Sequence, residues 1–287
     1  MAENQKQTEV EAAKNTHSFN FWDHFCDFYS QSFSAMTQSI YHEIGYQLKL
    51  QERSSLLVVG GGPGLGPSQL LPYLKPESEI VITDFSPKMV ENAEKFIENS
   101  MEKKSFSGTV RYGIADATDL KQFRDKQFDR YVASLSLMHV PSPEKQVQEA
   151  YRVLDDDGMA IFVVWGREER CHLFRFPGEV ERELGLAAQV KRNSPFDLSK
   201  GSTITDMLEA AGFKKHFSWF TTKKLFYHSG QQYADFVASL VEAGGIFDLT
   251  AQQKLDYQRL LTEKADAVLD NHDLLGWDMK FVVALKQ

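Results

Sequence analysis

The chain has 287 residues, 42% of them hydrophobic and 25% charged, with a formal net charge of −8, enough to bury one large core or two modest ones. Its basic pairs, Lys191-Arg192, Lys214-Lys215 and Lys223-Lys224, are scattered, which argues against nucleic acid as a partner, because such binding rests on neutralising phosphates. No apolar run approaches the roughly 20 residues that cross a bilayer, and the two cysteines, Cys26 and Cys171, show no metal-type spacing and fit a reducing compartment.

The first sixteen residues, MAENQKQTEVEAAKNT, carry three glutamates and no apolar centre. They match neither a secretory signal nor an Arg-rich transit peptide, so 1–16 is expected to be a loosely attached tail and the cytoplasm is the default location. From a cap at Asn20, Phe21, Trp22, Phe25, Phe28 and Tyr29 recur at helical spacing. A second helix carries Ile40, Ile44 and Leu48. Both either pack on a sheet or form a lid, 17–52, in which Tyr29 is the residue expected to face a ligand.

Leu56 to Leu71, LLVVGGGPGLGPSQLL, is the stretch around which the chain is organised. Four apolar residues run straight into Gly60, Gly61, Gly62, Gly64 and Gly66, which reads as a buried strand ending in a loop of bare backbone. Such a loop lets a ligand approach main-chain N–H groups, and Pro67 suits the first position of a following helix. No register gives G-x-G-x-x-G, which disfavours a dinucleotide, and no G-x-x-x-x-G-K-[ST] run is present, which removes a P-loop. The loop resembles motif I of the class I S-adenosylmethionine-dependent methyltransferases, an acidic residue, an apolar residue and then G-x-G-x-G. Gly60, Gly62 and Gly64 match that motif, and Val58 stands where the family has an acid.

Glu79 to Asp84 (EIVITD) reads as a second strand, and Ser86-Pro87 opens a helix with apolar positions Met89, Ala93, Phe96, Ile97 and Met101. Asp84, roughly 20 residues past the loop, stands where a carboxylate can accept from two ribose hydroxyls. The run TDFSPKMVENA resembles the family's second motif, which implies that Asp84 binds ribose while Phe85 and Met89 lie against adenine. Thr109 to Ala115 gives a third strand, followed by Asp116 and Ala117. The match there implies a carboxylate for the adenine amine and a main-chain N–H for a ring nitrogen.

Phe128 to Val140, then PSPEKQVQEAYRVL, DDDG and MAIFVVWG, repeat the strand–helix–strand logic. A strand runs through Ser134, Ser142-Pro143 caps a helix bearing Val147, Ala150, Tyr151 and Leu154, Asp157-Gly158 turns, and a strand ends at Trp165. These residues resemble the later motifs of small-molecule methyltransferases of the ubiquinone and menaquinone biosynthesis type, with Asp155 to Asp157 replacing a Lys-Pro-Gly turn. Ser134, at the strand end, joins the candidate cofactor contacts. The acidic run is read as solvated, and no metal is expected.

Arg167 to Lys200 has weak patterning and reads as an insertion. Ile204, Met207, Leu208 and Ala211 form a helix stopped by Gly212, and Lys214 to Phe226 alternates as a strand whose aromatics are expected in the core. Two helices follow, on Tyr233, Phe236, Val237 and Leu240 and on Leu261, Ala265, Val268 and Leu269, before a last strand from Trp277 to Leu285. The resemblance implies an α/β Rossmann-like fold with a doubly wound, seven-stranded, mostly parallel sheet. It places a cofactor-binding core at 53–166 and substrate-covering insertions at 167–202 and 229–276 within a single domain.

With S-adenosylmethionine as cofactor, methyl transfer needs no acid for its neutral thioether leaving group. Only an acceptor that arrives protonated needs a base, and His139, just beyond the fourth strand, is the candidate, with His172 second. The expected activity is methylation of a small, apolar or aromatic acceptor. A catalytically silent relative acting as a binding or assembly subunit is the alternative. A nicotinamide-dependent oxidoreductase suits Asp84 but not the glycine spacing.

Overall fold

The computed structural model describes residues 21–52, 55–186, 194–245 and 248–287. The expected cap at Asn20 and the tail at 1–16 lie outside the described residues. Helical residues 21–28 lead into a π-helical turn, Tyr29–Phe33, and then α1, Ser34–Gln47. Ile40, Ile44 and Leu48 are fully buried, as their spacing predicts.

Strand β1, Ser55–Val59, buries Leu56 to Val59 on both faces, which is why it reads as an unbroken apolar run and not an alternating one. Pro67 is not at a first helical position: the helix after the glycines is a single turn, Leu65–Ser68, with Pro67 third. Leu71–Tyr73 is already 3-10, because Pro72 cannot donate the bond that would extend the turn. Strand β2, Glu79–Asp84, is followed by α2, Pro87–Asn99, where the Ser86 hydroxyl accepts from the Met89 N–H at 3.1 Å. Met89, Ala93 and Ile97 form its buried stripe. Phe96 and Met101, expected on that stripe, are exposed, one lying a step round the helix and the other beyond its end.

Strands β3, Thr109–Ile114, and β4, Phe128–Ser134, are followed by α3, Pro143–Val153, and β5, Leu154–Trp165. Ser142 precedes α3 without a side-chain cap; its hydroxyl donates to Glu144 instead. The turn expected at Asp157-Gly158 is a register slip inside β5: Phe128 pairs with Leu154, yet Arg130 pairs with Met159. The surplus residues are accommodated as an irregularity of one strand.

Arg167 to Lys200 contains a helix that the sequence concealed, α4, His172–Glu183, because Pro177 lies inside it and Gly178 follows. Then come α5, Thr203–Ala211, ended by Gly212 at φ 108°, and β6, Lys215–Leu225. The chain closes with α6, Gly230–Ala243, α7, Ala251–Leu269, and β7, Leu275–Leu285. The seven strands make one mixed, mostly parallel sheet in the order β3-β2-β1-β4-β5-β7-β6. That places β6 at an edge, so Phe217 and Phe220 are exposed and not core residues as their alternation suggested, and Phe226, just past the strand's end, is exposed as well.

The chain divides into two compact units. The first gathers the chain through Val163 with Ser202–Ser218 and Phe281–Gln287; the second comprises Val164–Gly201 and Trp219–Lys280. Within the second unit the fully buried Asp278 accepts from the Arg167 main-chain N–H at 2.7 Å, from its Nε at 3.0 Å and Nη2 at 2.9 Å, and from the Thr222 hydroxyl at 2.5 Å. Burial alone would raise the Asp278 pKa, but these donors hold it below the usual carboxylate value.

Candidate active site

The strand register decides where a ligand can sit. Val59 pairs with Thr83 of β2 on one side and Ala133 of β4 on the other, so Gly60, Asp84 and Ser134 emerge at one level of the sheet. Strand order reverses between β1 and β4, and the crevice beyond the strand ends at such a switch point is where open α/β sheets bind ligands. A hollow of about 300 Å³, mouth included, opens there. Gly60, Gly61, Gly62, Ser134 and Leu135 line it from the sheet, and Tyr29, Ser34, Thr37 and Tyr41 from the helical cover.

The loop is held to β2 at two points. The Gly61 N–H donates to the Thr83 carbonyl and the Gly62 N–H to the Asp84 Oδ2, each at 2.9 Å. Gly62 has φ 59°, where a side chain is disfavoured, and faces the Tyr29 ring. Gly64 serves packing: at φ 95°, a Cβ there would lie 2.8 Å from the Ala93 Cα on α2.

Asp84 accepts a second bond at its other oxygen, from the Ser86 N–H at 3.0 Å. Burial raises its pKa, and the N–H groups of Ser86, Gly62 and Phe85 oppose that rise. Each carboxylate oxygen keeps a lone pair for a further donor. Asp116 follows the point where the Ala115 N–H meets the Asp84 carbonyl at 3.0 Å. Its Oδ1 takes both the N–H and hydroxyl of Thr118, at 2.8 and 2.7 Å, and its Oδ2 makes no hydrogen bond among the described residues. Gly64, Asp84, Phe85, Met89, Asp116 and Ala117 do not line the hollow itself; Asp84 is tied to it through Gly62, and Met89 is buried.

His139 sits edge-on to Trp22, ring centroids 5.1 Å apart, beside the aromatic group that includes Tyr29. The residue is exposed to solvent on one side, and its packing on the other lowers its pKa through partial desolvation. His139 is not among the residues lining the hollow. His172 belongs to the second unit and is structurally engaged there: its Nδ1 accepts from the Gly276 N–H at 2.8 Å, and its carbonyl accepts from the Tyr233 hydroxyl. Among the described residues no cluster of three or more metal-ligating side chains occurs.

Sequence reasoning missed Ser34, Thr37 and Tyr41. They fall at i, i+3 and i+7 on α1, a polar stripe beside the Ile40/Ile44/Leu48 stripe, and that spacing was the available signal.

Residues 57–162, which carry the loop, β2, β3 and β4, match the methyltransferase domain family. The chain therefore carries a methyltransferase domain at 57–162, similar to those of S-adenosylmethionine-dependent methyltransferases, quinone methyltransferases among them. Similar curated proteins are a chloroplastic 2-methyl-6-phytyl-1,4-hydroquinone methyltransferase of Oryza sativa, 36% identical over 37% of this chain and 27% of that one, and the thiol S-methyltransferase TMT1B of Rattus norvegicus, 32% identical over 38% and 41%. The chain thus spans well under half the length of these relatives. In solved structures, the YcgJ protein of Bacillus subtilis shares the fold at a TM-score of 0.55, 18% identity, 86% of this chain and 97% of that one.

The methyltransferase hollow suits its cofactor on its own chemistry. Bare glycine backbone and hydroxyls that both donate and accept line it, and beside it the Asp84 carboxylate is bonded to the loop through the Gly62 N–H.

Proposed function

We propose that this chain transfers the methyl group of S-adenosylmethionine to a small acceptor of apolar or aromatic character. The observation that carries the reading is the Asp84–Gly62 bond, which fixes a ribose-binding carboxylate to the side-chain-free loop at the switch point of the sheet. When bound, the cofactor supplies an electrophilic methyl group on a positively charged sulfur. The chain's task is then mainly to hold and enclose: correct orientation of two reactants is worth roughly 7–11 kcal/mol. Asp84 takes the ribose hydroxyls, Asp116 through its free Oδ2 takes the adenine amine, Phe85 and Met89 flank the base, and Tyr29 covers the loop.

The relatives' acceptors, a hydroquinone in one and a thiol in the other, support an acceptor that loses a proton during transfer. For such an acceptor His139 is the proposed base, since its imidazole is unprotonated at pH 7 and can accept a proton. The covering helix contributes the aromatic rings of Trp22, Phe25 and Tyr29 beside the site, which favours an apolar acceptor. The test is to incubate the chain with methyl-labelled S-adenosylmethionine and a metabolite extract and to identify the labelled product by mass spectrometry. Calorimetry that detects no S-adenosylmethionine binding to the intact chain refutes the proposal.

A further inference from the structure

We propose that hydroxyls of α1, those of Ser34, Thr37 and Tyr41, hold the amino-acid end of the cofactor, replacing the acid that Val58 lacks. The inference rests on the cofactor reading above and concerns which groups of this chain serve it. Val58 is fully buried in β1, does not line the hollow and has no polar side-chain atom to offer a ligand there. No charged side chain lines the hollow.

What lines it is a row of buried hydroxyls on one helix face. Ser34, Thr37 and Tyr41 are only 2%, 5% and 4% exposed, and burying hydroxyls without partners is unfavourable. Ser34 lines the hollow and is buried. Thr37 donates to the Ser34 carbonyl at 2.9 Å and lies within hydrogen-bonding reach of the Tyr29 hydroxyl, leaving its oxygen one lone pair for a ligand. Tyr41 lies within hydrogen-bonding reach of Ser134 across the hollow. The buried hydroxyl of Ser136, which has no partner among the described residues, lies against Gly60 of the loop.

A ligand end bearing both an ammonium and a carboxylate needs acceptors and donors at close quarters. Hydroxyls provide both from one atom, whereas a carboxylate side chain only accepts. The π-helical turn at Tyr29–Phe33 sits immediately before Ser34 and sets the phase of this face; such turns inside helices frequently occur at functional sites.

The experiment is calorimetric titration of the full chain with two ligands, S-adenosylmethionine and 5′-methylthioadenosine, which shares the adenosine and sulfur but lacks the amino-acid end. Ser34→Ala and Thr37→Val are each expected to weaken S-adenosylmethionine about 10-fold, and together about 100-fold, from loss of hydrogen bonds to charged groups. Binding of 5′-methylthioadenosine should stay within about 2-fold of the unaltered chain, and Thr37→Ser, which keeps the hydroxyl, should retain S-adenosylmethionine binding. Unchanged S-adenosylmethionine affinity in the double variant overturns the inference while leaving the cofactor reading intact, as does equal weakening of both ligands. If the unaltered chain binds neither ligand, the cofactor reading itself fails, and this inference with it.

Discussion

Replacing Asp84 with Ala tests the link between the loop and the proposed chemistry most directly. The substitution removes two kinds of interaction at once. It deletes the acceptors that hold the Gly62 and Ser86 N–H groups at 2.9 and 3.0 Å, and it deletes the acceptors offered to two ribose hydroxyls. Hydrogen bonds to a charged group are worth roughly 1.5–3 kcal/mol each, so losing the ribose pair alone predicts roughly 3–6 kcal/mol of binding energy. At about 1.4 kcal/mol per decade, S-adenosylmethionine affinity should fall at least about 100-fold. The two freed N–H groups lie where Asp84 is only half-buried, so water can reach them and the loss of folding stability should be smaller, about 1–2 kcal/mol. Calorimetry measures the first quantity and denaturant unfolding the second. Affinity within about 3-fold of the unaltered chain, in a variant that still folds, refutes the assignment of Asp84 to the ribose. The raised pKa of Asp84 adds a sign: protonation removes the ribose acceptor, so binding should weaken on acidification at a higher pH than an ordinary aspartate would give.

Gly64→Ala should destabilise the fold by about 2–5 kcal/mol, a positive-φ strain plus a clash with the Ala93 backbone, and chemical denaturation checks it. If His139 is the base, His139→Ala should lower kcat by about 10²–10⁴-fold. Acidification should then reduce the rate as the imidazole takes up a proton, at or below the ordinary histidine value; a rate that does not fall on acidification would exclude that role. Asp278→Ala should cost about 1–3 kcal/mol, because Arg167 and Thr222 lose a buried acceptor while the Arg167 head, about a third exposed, can be rehydrated. Because the Asp278 pKa is depressed in the folded chain, the unfolded carboxylate takes up a proton first as pH falls. The stability that Asp278 contributes is therefore present above pH about 3.8 and lost on acidification below it. Urea unfolding of the unaltered chain and of Asp278→Ala across that range should converge at the acid end.

What was legible in the sequence was whatever depends on neighbours along the chain. The glycine loop, Asp84 at the end of β2, Ser134 at the end of β4 and the Gly212 stop each report a local requirement: bare backbone, a strand terminus or a positive φ. The strands from Glu79, Thr109 and Phe128 begin where the apolar runs begin. Failures arose where a distant partner decides the outcome. Helix α4 was concealed because Pro177 and Gly178 penalise it locally, while Leu173, Phe176 and Val180 bury a continuous apolar face that outweighs the penalty. The slip within β5 depends on how β4 pairs with it, which the acidic run Asp155 to Asp157 does not encode.

The aromatics of β6 show the same rule from the other side. Period-two alternation reveals that a segment is extended, yet both faces of an edge strand can meet solvent, so alternation alone cannot assign Phe217 or Phe220 to the core. The α1 hydroxyls went unnoticed for a related reason: a polar stripe on a helix ordinarily faces water. Ser34, Thr37 and Tyr41 are buried because the loop after β1 lies against them, and the loop can lie that close because Gly66 presents no side chain to the Tyr41 ring. The glycines thus do two jobs, opening the main chain to a ligand and admitting the helix that supplies the hydroxyls. Gly66→Ala should consequently weaken S-adenosylmethionine more than 5′-methylthioadenosine, since displacing Tyr41 moves the hydroxyl face while leaving the Asp84–Gly62 bond in place. Equal effects on the two ligands would show that helix and loop act as one rigid wall.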